Sequence, residues 1–299
     1  VILAFTPNNK HDYLAHTIIE GMYEAGIDLR CTGNSNGERV RISPVDLIKK
    51  QHQADFIFII HYKGKSYEHL SQVEDWSKVV FFDGSEWSFN YLPPFSKQGL
   101  VSEEMLERAQ FYFKRECYPE HIAKGIIPFP FGAVGSDFAN NSLEKDVDIL
   151  CAFGQPKSFV TETDKTQWRQ VAMRAVNELG AEGYNVITTK VPEYLRYVNR
   201  SWLTVDAYGG GECNQRTFQI PANKSVGLYK RFQIGTPNYV EGSHYLAWDS
   251  AEELKEKARK YLADKEKLSY LTRQAYENTL QYHTAKARAK YILDIIYGN

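Results

Sequence analysis

The sequence predicts an α/β protein made of two Rossmann-like domains facing across a cleft. Short apolar runs alternate with runs of helical periodicity, the alternation occurs as two series, and a Pro/Gly-rich segment around residues 125–142 separates them. Strands interleaved with helices pair in parallel, because a parallel crossover needs a dozen or more residues. A length of 299 residues is comfortable for two domains. The expected division is an N-terminal domain over 1–130, a C-terminal domain over 131–282 and a terminal helix over 283–299.

The first series opens with the apolar run "VILAF", closed by Thr6-Pro7. In "HDYLAHTIIEGMYEAG" the apolar residues Leu14, Ile18, Met22 and Ala25 recur at helical spacing, and Gly26 stops the helix. "ADFIFIIH" and "KVVFFDG" are continuous apolar strands, whereas the prolines of "GIIPFPFG" mark an edge strand or linker. The second series runs "DVDILCAFG" (strand), "DKTQWRQVAMRAVNELG" (helix, Asp164 a possible cap and Gly180 its stop), "YNVITTK" (strand), "VPEYLRYVNR" (short helix) and "SWLTVDAYG" (strand). "SVGLYKR" and "HYLAW" follow, and long charged helices close the chain, the first opened by a Ser250/Glu253 capping box. In the last helix Ala287, Tyr291, Ile292 and Ile295 share an apolar face, with Lys286, Arg288 and Lys290 polar.

Composition narrows the function classes. Hydrophobic content of 43% and charged content of 24% are those of an ordinary globular chain. The 36 basic and 37 acidic residues nearly cancel, which gives no electrostatic case for nucleic acid as the main partner. The four cysteines are widely separated and lack a CxxC, so neither a zinc site nor a disulfide framework is expected, and a reducing, cytoplasmic setting is. No apolar run approaches the ~18 residues of a membrane span. The chain begins directly in a strand-like run, with no signal peptide visible. His61 and His69 lack a zinc spacing, and no DxD triad stands at a strand end.

The stretch "YGGGECNQRTFQIPANKS" (208–225) carries the strongest site signal, because it follows a strand and opens a helix. Ligands of open α/β sheets bind at that edge. Gly209, Gly210 and Gly211 allow close backbone approach, and the helix start would offer free N–H groups to a diphosphate. Arg216 adds a fork for phosphate oxygens, and Gln219, on the same helix face, adds an amide for hydroxyl groups. The residues alone fit a plain glycine turn with a surface arginine equally well.

Residues 202–295 resemble the C-terminal domain of the CgeB/YkvP-like glycosyltransferases, which have the GT-B architecture. In that family a glycine-containing turn precedes an R-x-F-E-x-x-A helix, and the ordered blocks here read "RTFQIPA" (216–222), "YVEGSHYLAW" (239–248), "SAEELKEKARKYL" (250–262) and "YHTAKARAKYIL" (282–293). The first ~140 residues carry a compatible pattern without a recognisable motif. One departure is that Gln219 stands where the family has a glutamate that holds the nucleotide ribose. Gln is nearly isosteric but neutral, and Glu212 is a nearby substitute.

The resemblance implies sugar transfer from a nucleotide-diphosphate sugar (UDP among the candidates) to an unidentified glycan, small-molecule or macromolecular acceptor, with no cofactor and no metal. Arg216, backbone N–H groups and Lys230 or Arg231 would hold the departing diphosphate. Inverting relatives place a histidine beyond the first strand, which makes His11 a candidate base and His16 an acceptor-side residue. Asp83, Glu86 and Trp87 in "FFDGSEW" follow another strand end, Asp83 as an alternative base and the other two as acceptor contacts. A helix-face His16, an Asp83 that makes a turn and a core Trp87 are the plainer readings. A nucleotide-sugar epimerase of the same fold and a non-catalytic nucleotide- or sugar-binding protein remain alternatives. The architecture also implies that the terminal helix packs on the first domain.

Overall fold

A computed structural model of the chain describes residues 1–6, 12–32, 41–61, 71–85, 101–139, 142–152, 164–208 and 211–298. The chain divides into two compact units: Val1–Val134 with Ile234–Pro237 and Thr284–Asn299, and Gly135–Gln233 with Asn238–His283.

The first unit carries β1 (Ile2–Phe5), α1 (Tyr13–Glu24), β2 (Leu29–Cys31), α2 (Pro44–Lys50), β3 (Phe56–His61), β4 (Val79–Asp83), α3 (Glu103–Arg108), β5 (Phe111–Lys114), α4 (Pro119–Ile122) and β6 (Ile127–Pro128). Its six strands lie in the order β2-β1-β3-β4-β5-β6. All pairs are parallel. A parallel sheet is covered on both faces, which is why β3 and β4 read as unbroken apolar runs rather than alternating ones. The proline-broken segment supplies β6, a two-residue strand on the sheet edge, where a missing N–H costs least. Asp12 caps α1 by accepting the N–H groups of Leu14 and Ala15.

The second unit carries β7 (Val147–Leu150), α5 (Asp164–Ala181), β8 (Val186–Ile187), α6 (Tyr194–Arg200), β9 (Ser201–Asp206), α7 (Arg216–Ala222), β10 (Val226–Lys230), β11 (Leu246–Trp248), α8 (Ala251–Leu262) and α9 (Lys265–Tyr282). The strand order is β11-β10-β9-β7-β8, again parallel throughout. Ile149, Val176, Leu203, Leu228 and Leu254 form its core around Trp248, whose indole N–H donates to the Leu228 carbonyl at 3.1 Å. Gly180 does not stop α5; it lies inside the helix, where a Cβ would stand 2.7 Å from Val186 Cγ2. The left-handed residue beyond the helix is Gly183, at φ +104°. Ser250 caps α8 through the Glu253 N–H, but Glu253 returns to the N–H of Asp249, so the capping box is shifted by one residue.

The last helix, α10 (Ala285–Tyr297), is counted with the first unit and packs along α1. A Cβ on Gly21 of α1 would meet the Ala285 carbonyl oxygen at 2.1 Å, so only glycine permits this approach. The buried stripe of α10 is Ala285, Ala289, Ile292 and Ile296, and Arg288 is buried with them. The face is thus rotated from the one that hydropathy indicates, because small alanines rather than Tyr291 and Ile295 fit against Gly21.

Candidate functional site

The strongest constellation lies at the carboxyl edge of the second sheet. β9 ends at Asp206, which is 2% exposed. Its Oδ1 accepts from Arg216 Nη2 at 2.8 Å and from the Ala207 N–H at 3.0 Å, and its Oδ2 accepts from Asn214 Nδ2 at 2.9 Å. Asn214 Oδ1 in turn accepts the Arg216 N–H at 2.8 Å. One carboxylate therefore organises the turn after β9 and the first residue of α7. This corrects the expectation of bare N–H groups at the helix start. Asn214 takes the first, and the N–H groups of Thr217 and Phe218 go to the carbonyls of Asn214 and Gln215.

Arg216 is correspondingly a held guanidinium, not a loose fork. Burial works against its charge, but Asp206 and Tyr194 outweigh that and raise its pKa. A second guanidinium, Arg169 of α5, stands in the same electrostatic neighbourhood, and its Nε donates to the Tyr208 carbonyl at 3.0 Å. Burial lowers the Arg169 pKa, and the charge of Arg216 lowers it further, only partly offset by Asp206. Two guanidinium groups are thus held at the end of β9, Arg216 on Asp206 and Arg169 on the Tyr208 carbonyl. Lys230, at the end of β10, pairs with Asp249 at 2.7 Å, and its ammonium lies 4.4 Å from the Trp168 ring centroid. Arg231 is tied to Asp249, Glu241 and Glu253.

The remaining donor-side residues are also engaged. Glu212 accepts the Gln233 N–H at 2.7 Å, and Gly211 is buried. Gln219 Nε2 donates to Asp137 Oδ1 at 2.6 Å, and Gln215 Nε2 lies 3.1 and 3.2 Å from the two oxygens of the same carboxylate. Gly209 and Gly210 lie outside the described residues.

The first unit treats its residues differently. Asp83, at the end of β4, is buried, and its Oδ2 accepts from Lys114 Nζ and Tyr112 Oη, each at 2.7 Å. Its Oδ1 accepts the Ser85 N–H at 2.9 Å, while Lys114 also donates to Ser85 Oγ at 2.8 Å. Burial pushes the carboxyl pKa up, but Lys114 and Ser85 outweigh it and hold the carboxyl well below the usual range. A carboxylate held by a buried ammonium must give up that pair before it takes a proton, which weighs against Asp83 as a general base. His16 faces Glu20 one turn along α1, at 2.8 Å. His11, Glu86 and Trp87 lie outside the described residues.

Sequence pattern does not mark Arg169 or Asp137. Arg169 sits in a helix with Arg174 and several other polar residues, and nothing in its spacing marks it as inward. Its signal was positional: it lies near the start of the helix that follows the first strand of the second series. Among the described residues no group of three or more His, Cys, Asp or Glu side chains could hold a metal ion. No helix among them is long and apolar enough to cross a membrane.

Residues 159–294, somewhat under half of the chain, match a family model described as glycosyl transferase-like. No curated protein matches the sequence. Among solved structures, a glycosyltransferase from Rickettsia africae superposes with TM-score 0.63 at 11% identity over 99% of this chain and 97% of that one. Anabaena HepE in complex with UDP and glucose gives TM-score 0.62 at 10% identity over 100% and 99%. Sucrose-phosphate synthase from Thermosynechococcus elongatus gives 0.61 at 14% identity over 99% and 98%. The fold is therefore that of the GT-B glycosyltransferases, with two parallel α/β sheets.

Proposed function

We propose that this protein is a glycosyltransferase that takes its sugar from a nucleotide-diphosphate donor, UDP-linked in the first instance, held on the second unit. The observation that carries the reading is that Arg216, on Asp206, and Arg169, on the Tyr208 carbonyl, are both held at the carboxyl end of β9, inside the segment that matches the glycosyl transferase-like family. The donor's diphosphate is the anion that this pair accommodates. As the sugar departs, negative charge grows on the leaving phosphate, and two fixed guanidinium groups stabilise that charge more than they stabilise the intact donor. Arg216 is pre-positioned by Asp206, so little reorganisation accompanies the step. We assign this task to side-chain cations and no metal.

The finer assignments rest on the sequence blocks. The CgeB/YkvP-like pattern over 202–295 supports placement among those transferases, and residues 1–130 supply the acceptor side. His11 is retained as the base for an inverting reaction, since Asp83 is committed to Lys114. The four cysteines are buried thiols, which supports a reducing, cytoplasmic setting.

The test is calorimetric titration with UDP and UDP-glucose, followed by product analysis with acceptor sugars. Donor binding with transfer or donor hydrolysis supports the transferase. Binding without turnover identifies a non-catalytic nucleotide-sugar protein, and conversion of the donor to its epimer identifies an epimerase. No binding of any nucleoside diphosphate overturns the reading.

A further inference from the structure

We propose that Asp137 is a positioning residue that orients the amides of Gln215 and Gln219, so that α7 and its N-cap present two fixed hydrogen-bond acceptors to a hydroxylated ligand. The choice of ligand rests on the nucleotide-sugar reading; the orientation rests on geometry alone. A carboxylate only accepts hydrogen bonds, so the amide face turned to Asp137 must be nitrogen. Gln219 Nε2 at 2.6 Å and Gln215 Nε2 at 3.1 Å from Asp137 Oδ1 satisfy this, and each Oε1 is therefore directed away from Asp137. Gln215 and Gln219 are each partly exposed, and neither Oε1 takes a hydrogen bond from a described residue.

Asp137 is itself anchored. It is 3% exposed, and Asn223 Nδ2 donates to its backbone carbonyl at 2.6 Å while Asn223 Oδ1 accepts the Ala139 N–H at 2.8 Å. Residues 215, 219 and 223 recur at four-residue spacing, so one face of the helix grips the 137–139 segment. The amides cannot turn over without setting a carbonyl oxygen against the carboxylate, a buried arrangement without a proton between the oxygens. Position 219 thus offers an acceptor of fixed direction three residues from Arg216. A group that donates, such as a ribose or sugar hydroxyl, is read there.

The test uses the full chain and four probes: UDP, 2′,3′-dideoxy-UDP, UDP-glucose and inorganic pyrophosphate. Wild type is expected to prefer UDP over its dideoxy analogue by about tenfold if the hydroxyl is the ribose's, or UDP-glucose over UDP by about tenfold if it is the sugar's. Asp137→Asn, which can donate and so lets the amides turn, should reduce that preference to less than about threefold while pyrophosphate binding is unchanged. Gln219→Met should do the same without touching Asp137. A merely structural Asp137 would weaken all four probes alike, and that result, or a preference that survives both variants, overturns the proposal. A ligand-free arm judges the orientation separately. Gln219→Glu sets a second carboxylate against Asp137 and should lower Tm, and the exchange Asp137→Asn with Gln219→Glu should restore it. An unaltered Tm in Gln219→Glu overturns the orientation. A wild type that binds none of the probes overturns the nucleotide reading and the ligand half of the proposal, leaving the melting arm to decide the rest.

Discussion

Each unit places an aspartate at the end of a central strand and a cation against it, yet the two clusters differ in kind. In the first, Asp83 meets Lys114, which is fully buried, and Tyr112 and Ser85 complete the shell. In the second, Asp206 meets Arg216, whose side chain is 22% exposed, and Arg169 is held nearby on the Tyr208 carbonyl. One carboxylate with one enclosed ammonium is closed and serves as scaffold. The second cluster, with partly accessible guanidiniums, reaches the surface. Strand-end position alone does not make a site; access to water separates the two clusters.

The largest effect should come from breaking the closed cluster. Lys114→Met leaves Asp83 buried without its cation and is expected to cost about 3–5 kcal/mol in denaturant unfolding, because removing one partner of a buried pair strands the other. Adding Asp83→Asn should recover much of the loss. A single variant as stable as wild type would mean that Asp83 is not held as described.

Arg216→Ala opens the second cluster and should reduce UDP affinity roughly tenfold or more, since a charge-assisted hydrogen bond is worth about 1.5–3 kcal/mol. Stability should fall as well, because the buried Asp206 loses its charged donor and keeps only the Ala207 N–H and the Asn214 amide. A stability loss with unchanged UDP binding would make Arg216 scaffold too, and the contrast between the units would fail.

The smallest effect concerns pH. His121 Nδ1 accepts the Tyr118 N–H at 3.1 Å, which requires an unprotonated ring nitrogen, and burial, with Lys114, pushes its pKa down to about 4. The unfolded chain takes that proton near pH 6.5. Between those values the unfolded state binds more protons, so stability falls with pH from about 6.5 to about 4 and the contribution is flat below that. His121→Asn keeps an acceptor without titrating and should remove this slope, a change on the order of 1 kcal/mol or more across the window. An equal slope in the variant would assign it to other groups.

Much of the fold is written in local pattern. Helical spacing in α1 and α5 and unbroken apolar runs in β3 and β4 are consequences of which face is buried, so they are legible residue by residue. β5 is not legible in this way, because "FYFK" is four residues long and runs straight into the charged "RECYPE". The site was legible where it is contiguous: Arg216 and Gln219 follow a strand and a glycine turn. It was not legible where it is made by register. Asp83 and Lys114 are cross-strand partners 31 residues apart, and Gln219 and Asp137 are separated by 82. The rotated face of α10 was hidden for a related reason: the choice of Ala285 and Ala289 as the inner stripe is made by Gly21, far away in the chain.

The open cluster of the second unit is tested most directly at Arg169, whose Nε donates to the Tyr208 carbonyl rather than to Asp206. Titrating UDP into wild type and Arg169→Met by calorimetry, at low and high salt, is the measurement. Wild type should bind with an affinity that falls as salt rises, and Arg169→Met should bind about tenfold more weakly with a shallower salt dependence. UDP binding of equal strength and equal salt dependence in the two proteins would contradict the assignment of this edge to the donor diphosphate.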